Sequence, residues 1–185
     1  MPIPFTKWPN SVIGHGAPIP SYLDYTNSTD YEGELGVVIG PGGRGISREN
    51  AYDHVYGYTI FNDATARTLQ NRHRQWFLGK SIDGYCPMGP CIVTADEVPD
   101  VRKLHLMTRV NGELRQDALV DQLIFDVPTL IETFSRVMTL DPGDLIATGT
   151  CKGVGIGFNP PKYLTKGDTV AITIEPIGTL ENPVD

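Results

Sequence analysis

The sequence predicts a mainly β protein with a few short helices, and three observations favour that class. The 185 residues include 20 glycines and 15 prolines, which is typical of a chain with many tight turns. Short apolar runs rich in β-branched residues recur between glycines, and residues 35–39 form the clearest of them. The best helical pattern is a single stretch, residues 128–138, whose apolar side chains form one stripe that we expect to belong to the core.

The composition limits the kinds of binding partner and the cellular compartment that we expect for this protein. A net charge of −7 argues against nucleic acid and anionic membrane as partners. No apolar run approaches the roughly 20 residues of a transmembrane helix, and the first residues lack the basic and apolar regions of a secretory signal. Cys86, Cys91 and Cys151 are odd in number and lack zinc-knuckle spacing, so we expect free thiols. The sequence therefore predicts a cytoplasmic protein in a reducing compartment.

The N-terminal stretch, residues 1–30, carries five prolines and little periodicity. It predicts an extended, irregular arm that two aromatic side chains, Phe5 and Trp8, fasten to the body. His15 lies in a Gly-His-Gly turn of this arm. We interpret it as a surface histidine, with a catalytic base as the alternative.

Local signals define the elements beyond the arm. Ser47 can cap a short helix with its hydroxyl oxygen, and Asn111-Gly112 is the strongest short hairpin signal. Strands are predicted over residues 35–39, 57–62, 104–110, from 113 onward, 145–148 and 169–174, and helical segments over residues 48–55, 64–70 and 128–138. Because there is no internal repeat and no linker, we expect one domain, residues 1–185.

Two closely spaced glutamates lie just before the clearest predicted strand, residues 35–39. Side chains alternate across a strand, so Glu32 and Glu34 project from the same side. Carboxylates that close repel each other and are costly to bury unpaired. A divalent cation with oxygen ligands would remove that cost; the alternative is the solvent-exposed face of an edge strand. Asp63 follows the strand at 57–62, where scaffolds present functional groups.

Two other segments have the composition of ligand-binding elements. Residues 71–77 are basic and aromatic, and charge alone would suggest phosphate or RNA contact. In so acidic a chain we interpret them as a flap over a small anionic substrate. The glycine spacing of residues 148–157 superficially matches a nucleotide loop, but no amphipathic helix follows and the Walker Lys-Ser/Thr pair is missing.

Six motifs occur in order from about Pro4 to Val184, namely D-Y-E-G-E-L-G-V-V-I-G, G-Y-T-I-F-N-D-A-T-A-R-T-L-Q, G-K-S-I-D-G-Y-C-P-M-G-P, V-N-G-E-L-R-Q, L-D-P-G-D-L-I-A-T-G-T and I-G-T-L-E-N-P-V. In register they resemble the fumarylacetoacetate hydrolase superfamily. The resemblance implies that family's mixed β-roll catalytic domain, normally a homodimer, with bound Mg²⁺, Mn²⁺ or Ca²⁺. Members act on 2-oxo acids and 1,3-dicarbonyl compounds by carbon–carbon hydrolysis, decarboxylation or keto–enol tautomerisation.

The resemblance also implies roles for individual residues. Glu32, Glu34 and Asp63 match the family's three metal-binding carboxylates. Four more residues match positions beside the metal and the substrate: Arg67 and Gln70 near the substrate and the metal-bound water, Lys80 beside the metal, and Thr150 in the loop that hydrogen-bonds the substrate. A Lys80 ammonium can offset the negative charge of three carboxylates on one divalent ion.

Two departures from the family pattern affect these expectations. Hydrolytic members usually carry, before the point where this chain starts, a Gly-x-Asn-Tyr segment with a histidine and a glutamate that activate water. Without that segment the sequence is either truncated, which leaves a mitochondrial location open, or works without the pair. His15 and His73 are the local substitutes. Cys151 stands where the family often has proline, and we interpret it as a spectator.

The sequence therefore predicts a Mg²⁺-dependent enzyme that hydrolyses a carbon–carbon bond in an acylpyruvate or fumarylacetoacetate-like 2-oxo acid. The first alternative is decarboxylation or keto–enol tautomerisation of an oxaloacetate-like acid, which needs no water-activating pair. The second is a non-catalytic, metal-stabilised homologue.

Overall fold

A computed structural model describes residues 1–72 and 74–185. Within these residues the protein is mainly β with a few short helices, as the sequence predicts. The strands are β1 (Val12–Ile13), β2 (Thr29–Asp30), β3 (Gly33–Ile39), β4 (Val55–Asn62), β5 (Thr65–Ala66), β6 (Cys86–Thr94), β7 (His105–Val110), β8 (Glu113–Leu119), β9 (Leu145–Ala147), β10 (Thr169–Ile174) and β11 (Gly178–Pro183). The α-helices are α1 (Arg67–Arg72), α2 (Phe77–Lys80) and α3 (Val127–Val137). Turns of 3-10 helix cover Pro9–Ser11, Ser21–Leu23, Arg48–His54, Ala95–Glu97, Val101–Lys103, Val120–Gln122 and Gly155–Gly157.

The strands of the described residues form two sheets and one short pair. The first sheet has the order β1-β6-β4-β3-β9, in which β1 and β6 are parallel and the other neighbours antiparallel. The second sheet is antiparallel with the order β11-β10-β7-β8, and β2 pairs with β5. Strand β3 contacts β7 and β4 contacts β10, so the two sheets pack against each other.

Strand β3 lies in the core and is buried on both faces. All seven of its residues are buried, and β4 and β9 pair with its two edges. The apolar core around it draws on both sheets and includes Leu35, Val37, Ile39, Ile60, Ile172, Ile174 and Leu180. The predicted buried strand is therefore confirmed, and Glu34 lies on it.

The other predicted strands and the hairpin are also confirmed. Strands β4, β7, β9 and β10 start and end within two residues of the predicted limits. Asn111 and Gly112 have φ angles of 51° and 81°, the left-handed conformation that a two-residue hairpin loop needs. They join β7 to β8, as expected from this pair of residue types.

Two helical predictions need correction. The segment Arg48–His54 is a 3-10 helix, and Ser47 makes no side-chain cap to it. Of the predicted turns at 64–70, Thr65–Ala66 instead pairs with β2 as strand β5, and the helix starts at Arg67. Local propensity misses both because tertiary pairing decides these short segments.

Helix α3 is shifted by one residue from its predicted start. Asp126 caps it, accepting a hydrogen bond from the Thr129 N–H at 3.0 Å, and Pro128 lies in the first turn as expected. The stripe is buried only in its first part: Val137 and Met138 are exposed, so assigning them to the core was wrong.

The N-terminal arm is attached to the body through its aromatic side chains, as predicted. The Phe5 ring lies 5.4 Å from that of Trp76, and the Trp8 ring lies 6.2 Å from that of Phe77. The arm is not wholly irregular, since β1 pairs with β6. The three cysteines are free, as expected. Within the described residues, no helix is both long and apolar enough to cross a membrane.

Candidate metal centre and active site

The register of β3 and β4 brings three carboxylates together. Gly33 pairs with Asn62, and the Asp63 N–H donates to the Glu32 carbonyl at 2.9 Å, so these neighbours meet where the strands end. Glu34 completes the group, and one carboxylate oxygen of each residue lies within 4.8 Å of the others. All three side chains are buried. The alternative of a solvent-exposed edge is therefore wrong.

Three cationic side chains surround two of these carboxylates. Lys80, at the end of α2, donates from Nζ to Glu32 Oε2 at 2.7 Å and to Asp63 Oδ2 at 2.6 Å. Arg67, at the start of α1, approaches Glu32 Oε1 with Nη1 at 2.5 Å. Lys7, on the N-terminal arm, forms an ion pair with Asp63 Oδ1. Glu32 and Asp63 are thus each held by two cations.

Glu34 has no such partner among residues 1–72 and 74–185. Its Oε2 accepts a hydrogen bond from the Gly149 N–H at 2.8 Å, and none of the ion pairs reaches it. Burial, together with the negative charges of Asp63 and Glu32, raises the pKa of Glu34 to about 8. A buried carboxylate with one neutral donor is costly to ionise, so Glu34 is the part of the cluster that lacks a cation.

The pKa values of the neighbouring charged groups are also shifted, and the direction of each shift follows from burial and from the nearby charges. Burial raises the pKa of Glu32 against the opposing effect of Lys80. For Asp63 burial acts in the same direction, but Lys7 and Lys80 outweigh it and lower the pKa. Burial opposes the Lys80 ammonium, yet Asp63 and Glu32 raise its pKa above the ordinary value. Lys80 is therefore a fixed positive charge.

The donor set fits a divalent cation. Glu32, Glu34 and Asp63 offer carboxylate oxygens, which are the ligands that Mg²⁺, Mn²⁺ and Ca²⁺ take. Including Asp30, which pairs with Arg67, four buried carboxyl groups face three cations, so ionisation of Glu34 leaves one uncompensated negative charge. A divalent ion held by these three residues would supply the charge that Glu34 lacks.

The remaining predicted site residues, Gln70 and Thr150, are connected to this cluster through hydrogen bonds to other groups. Gln70 Oε1 accepts from Arg67 Nη1 at 3.2 Å. The Thr150 hydroxyl donates to the Gly33 carbonyl at 3.0 Å and accepts from Gln116 Nε2 at 2.8 Å. The structure thus joins Gln70 to the cluster through the arginine, and Thr150 to the strand that carries Glu34.

The alternative candidates lie outside the carboxylate cluster. His15 is exposed, and its Nδ1 accepts a hydrogen bond from the Glu181 N–H at 3.1 Å, so the surface interpretation holds. His73 lies outside the described residues. Burial raises the pKa of the Cys151 thiol, which disfavours a reactive thiolate. Of the predicted flap, Trp76 and Phe77 contact the arm.

Three site residues escape sequence reasoning: Lys7, Asp30 and Gln116. Lys7 lies between the two aromatic residues of the arm, and its spacing of 56 residues from Asp63 gives no local signal. Asp30 belongs to the first family motif and could have been found there. Gln116 ends the motif V-N-G-E-L-R-Q; its Oε1 accepts from the Gly33 N–H at 2.9 Å.

The fold and this site define a β-rich protein with a buried carboxylate centre able to take a divalent metal. A family model places it further: the fumarylacetoacetate (FAA) hydrolase C-terminal model matches residues 1–185, so the chain belongs to that family.

Three similar proteins illustrate the range of the family. The oxaloacetate tautomerase YisK of Bacillus subtilis is 56% identical over 183 residues, which are 99% of this chain and 61% of that protein. A fumarylacetoacetate hydrolase structure from psychrophilic Exiguobacterium antarcticum is 51% identical, with a TM-score of 0.94, over 98% of this chain and 65% of that one. A 2-hydroxyhepta-2,4-diene-1,7-dioate isomerase structure from Mycobacterium marinum is 45% identical, with a TM-score of 0.87, over 97% and 67%. The chain spans about three fifths of the length of the curated relatives it matches.

Proposed function

We propose that this chain carries the catalytic centre of a divalent-metal enzyme that interconverts the enol and keto forms of a small 2-oxo acid such as oxaloacetate. The sequence alone ranks carbon–carbon hydrolysis first and this reaction second. Two relatives support reversing that order, because the Bacillus subtilis protein is named an oxaloacetate tautomerase and the Mycobacterium marinum structure an isomerase.

One observation carries the proposal: among the described residues, the buried carboxylate of Glu34 has no cationic partner, and it lies next to a Lys80 ammonium that is held by two other carboxylates. With Glu34 ionised and a divalent ion on Glu32, Glu34 and Asp63, the buried group would carry one net positive charge. A buried positive centre attracts the carboxylate of a 2-oxo acid and favours negative charge on its 2-oxygen.

The chain's own side chains then have defined tasks. When bound, the divalent ion supplies Lewis acidity that polarises a carbonyl. Lys80 holds its proton between Glu32 and Asp63, so it acts by charge and would stabilise negative charge on the 2-oxygen of the substrate. Arg67 adds a second fixed cation beside Glu32. The Gly149 N–H fixes the remaining carboxylate, Glu34.

The test uses enol-oxaloacetic acid and the residue 1–185 chain with Mg²⁺ or with EDTA. We expect the ultraviolet absorbance of the enol to decay faster than in buffer only when Mg²⁺ is present, and the Asp63→Asn variant to match buffer. Pyruvate release, measured in parallel, separates decarboxylation from tautomerisation. Enol decay no faster than in buffer would reject the proposal, and decay equally fast with EDTA would reject the role of the metal.

Carbon–carbon hydrolysis is the second candidate, favoured by the name of the Exiguobacterium antarcticum structure. That reaction needs a base that delivers water, which typically contributes about 10²–10⁴-fold. Among the described residues, His15, His54 and His105 each pair with a group outside the carboxylate cluster. We therefore expect residues 1–185 to cleave acetylpyruvate more slowly than they tautomerise oxaloacetate. The reverse ratio would favour hydrolysis.

Assembly and location remain predictions. The homodimer and the cytoplasmic location follow from the family resemblance and from composition, and the activity of the longer relatives is a proposal for this chain. Light scattering after gel filtration of residues 1–185 measures the assembly directly, and a monomer would contradict the dimer.

A further inference from the structure

Asp30 is a fully buried carboxylate two residues before Glu32, and it has no place among the three candidate metal ligands. It nevertheless joins two parts of the site. Its Oδ2 accepts a hydrogen bond from Arg67 Nε at 2.8 Å. The same oxygen accepts from the Ile156 N–H at 2.9 Å, and Oδ1 accepts from the Gly155 N–H at 2.6 Å. One side chain thus fixes the arginine and the far end of the loop that begins at Gly149.

The loop comes close to the Asp30 carboxylate at a glycine, Gly155. A Cβ atom on Gly155 would lie 2.6 Å from Asp30 Oδ1 and 2.3 Å from the Lys162 carbonyl oxygen, so only glycine fits between them. At its other end the loop is tied to the same strand segment, because the Gly149 N–H donates to Glu34. The 149–156 loop is therefore held at both ends by carboxylates that flank Glu32.

One guanidinium nitrogen of Arg67 makes no hydrogen bond within the described residues. Its Nε is used by Asp30, and its Nη1 approaches Glu32 and Gln70. Its Nη2 is buried and has no hydrogen-bond partner within residues 1–72 and 74–185. A buried guanidinium N–H without an acceptor is costly, and a ligand carboxylate oxygen would satisfy it.

We propose that Asp30 is a positioning residue, which holds Arg67 and the 149–156 loop in the arrangement that receives the carboxylate of the anionic substrate. It acts through Arg67 and the loop rather than by touching the substrate or the metal. This inference rests on the proposed function, since a 2-oxo acid provides the carboxylate that Arg67 Nη2 lacks.

Asp30→Asn tests this role, because the amide keeps the size of the side chain but loses the charge and cannot accept on both of its ends. In the metal-free protein, we expect NMR to show faster hydrogen exchange of the Gly155 and Ile156 amides. In the Mg²⁺-loaded protein, calorimetry with oxalate, a dianion that resembles the enolate of a 2-oxo acid, should give a dissociation constant raised at least about tenfold, as expected for hydrogen bonds to a charged group. The KM for oxaloacetate should rise with it, while kcat and the Mg²⁺ dissociation constant stay within about threefold.

Two further variants separate positioning from general destabilisation. Asp126→Asn removes a carboxylate that also caps a backbone N–H and pairs with an arginine, Arg48, but far from this site; it should lower the melting temperature without changing oxalate affinity or KM. Gly155→Ala disturbs the same contact from the loop side and should reproduce the oxalate effect of Asp30→Asn.

The outcomes distinguish this inference from the proposed function. Unchanged oxalate affinity in Asp30→Asn, or an equal loss in Asp126→Asn, overturns the role of Asp30 even if the wild type is an active tautomerase. A wild type that binds oxalate but does not tautomerise oxaloacetate rejects the proposed reaction and leaves the oxalate affinities as the test of Asp30. A wild type that does not bind oxalate overturns both.

Discussion

The Lys80 ammonium group lies 2.6 Å from Asp63 Oδ2, and the two side chains are 2% and 1% exposed. An ion pair this well buried cannot lose one partner cheaply, since the remaining charge stays out of water. The pair also sets the protonation state of the lysine: Asp63 and Glu32 raise its pKa despite the burial. Each of these consequences can be measured.

Replacing Lys80 by methionine removes a positive charge without removing bulk. We expect the turnover of oxaloacetate to fall by about a hundredfold at every pH tested, because the charge favours the developing negative oxygen throughout. Lys166→Met, which removes an exposed lysine paired with Asp185, is the control and should leave turnover unchanged. Activity that survives in Lys80→Met with a shifted pH optimum would contradict a purely electrostatic role.

Asp63→Asn removes one of three candidate ligands while keeping the shape of the side chain. Calorimetry should give a Mg²⁺ dissociation constant raised at least about tenfold, because one of the three candidate carboxylate ligands becomes a neutral amide. The far-ultraviolet circular dichroism should stay close to that of the wild type, since β3 and β4 remain paired. Wild-type Mg²⁺ affinity in this variant would remove Asp63 from the metal centre.

The metal-free protein should lose stability as the pH rises. The pKa of Glu34 is about 8 in the folded state and 4.5 ordinarily, so between these values the folded state binds more protons than the unfolded state. The free energy of unfolding therefore falls with rising pH across this window, with a slope from this group of up to about 1.4 kcal/mol per pH unit.

Thermal melts in EDTA across that window, compared between the wild type and Glu34→Gln, isolate this contribution. The variant should show a weaker pH dependence, because it has no proton to lose at this position. Added Mg²⁺ should flatten the wild-type dependence and leave the variant unaffected. Parallel pH profiles for the two proteins in EDTA would show that Glu34 ionises normally.

Gly153→Ala should displace the loop that carries Thr150. Gly153 has a φ of 106°, and an added Cβ would lie 2.0 Å from the Arg115 carbonyl oxygen, so we expect a loss of at least about 1 kcal/mol in the free energy of unfolding. Turnover should fall with it. Gly167→Ala is the matched control: φ is 94° but no atom lies within 4 Å of the added Cβ, so it carries the backbone cost without the clash and should leave turnover unchanged. Equal effects of the two substitutions would show that the loop tolerates the added carbon.

Local patterns in the sequence predict much of the scaffold. The β-branched run that became β3 needs no distant information, because apolar strands bounded by glycine are buried wherever they pair. Asn111-Gly112 predicts its hairpin for a similar reason, since both residues tolerate positive φ. The two-residue spacing of Glu32 and Glu34 places them on one side of the chain, and Asp63 is recognisable as the residue that follows a strand.

The tertiary structure decided which charges meet. Lys7 reaches Asp63 only because the N-terminal arm folds across α2, and Asp30 binds Gly155 and Ile156 only because a distant loop returns to the strand. Contacts over 56 and 125 residues leave no periodic trace in the chain. Burial is likewise a property of the packed sheets: spacing alone allowed Glu34 to face solvent, whereas the pairing of β3 with β4 and β9 buried it, with no cationic partner in the part of the chain that the structure describes. The sequence by itself determined which groups could bind a metal, and the packing of the sheets determined that one carboxylate among them has no positive partner within the described residues.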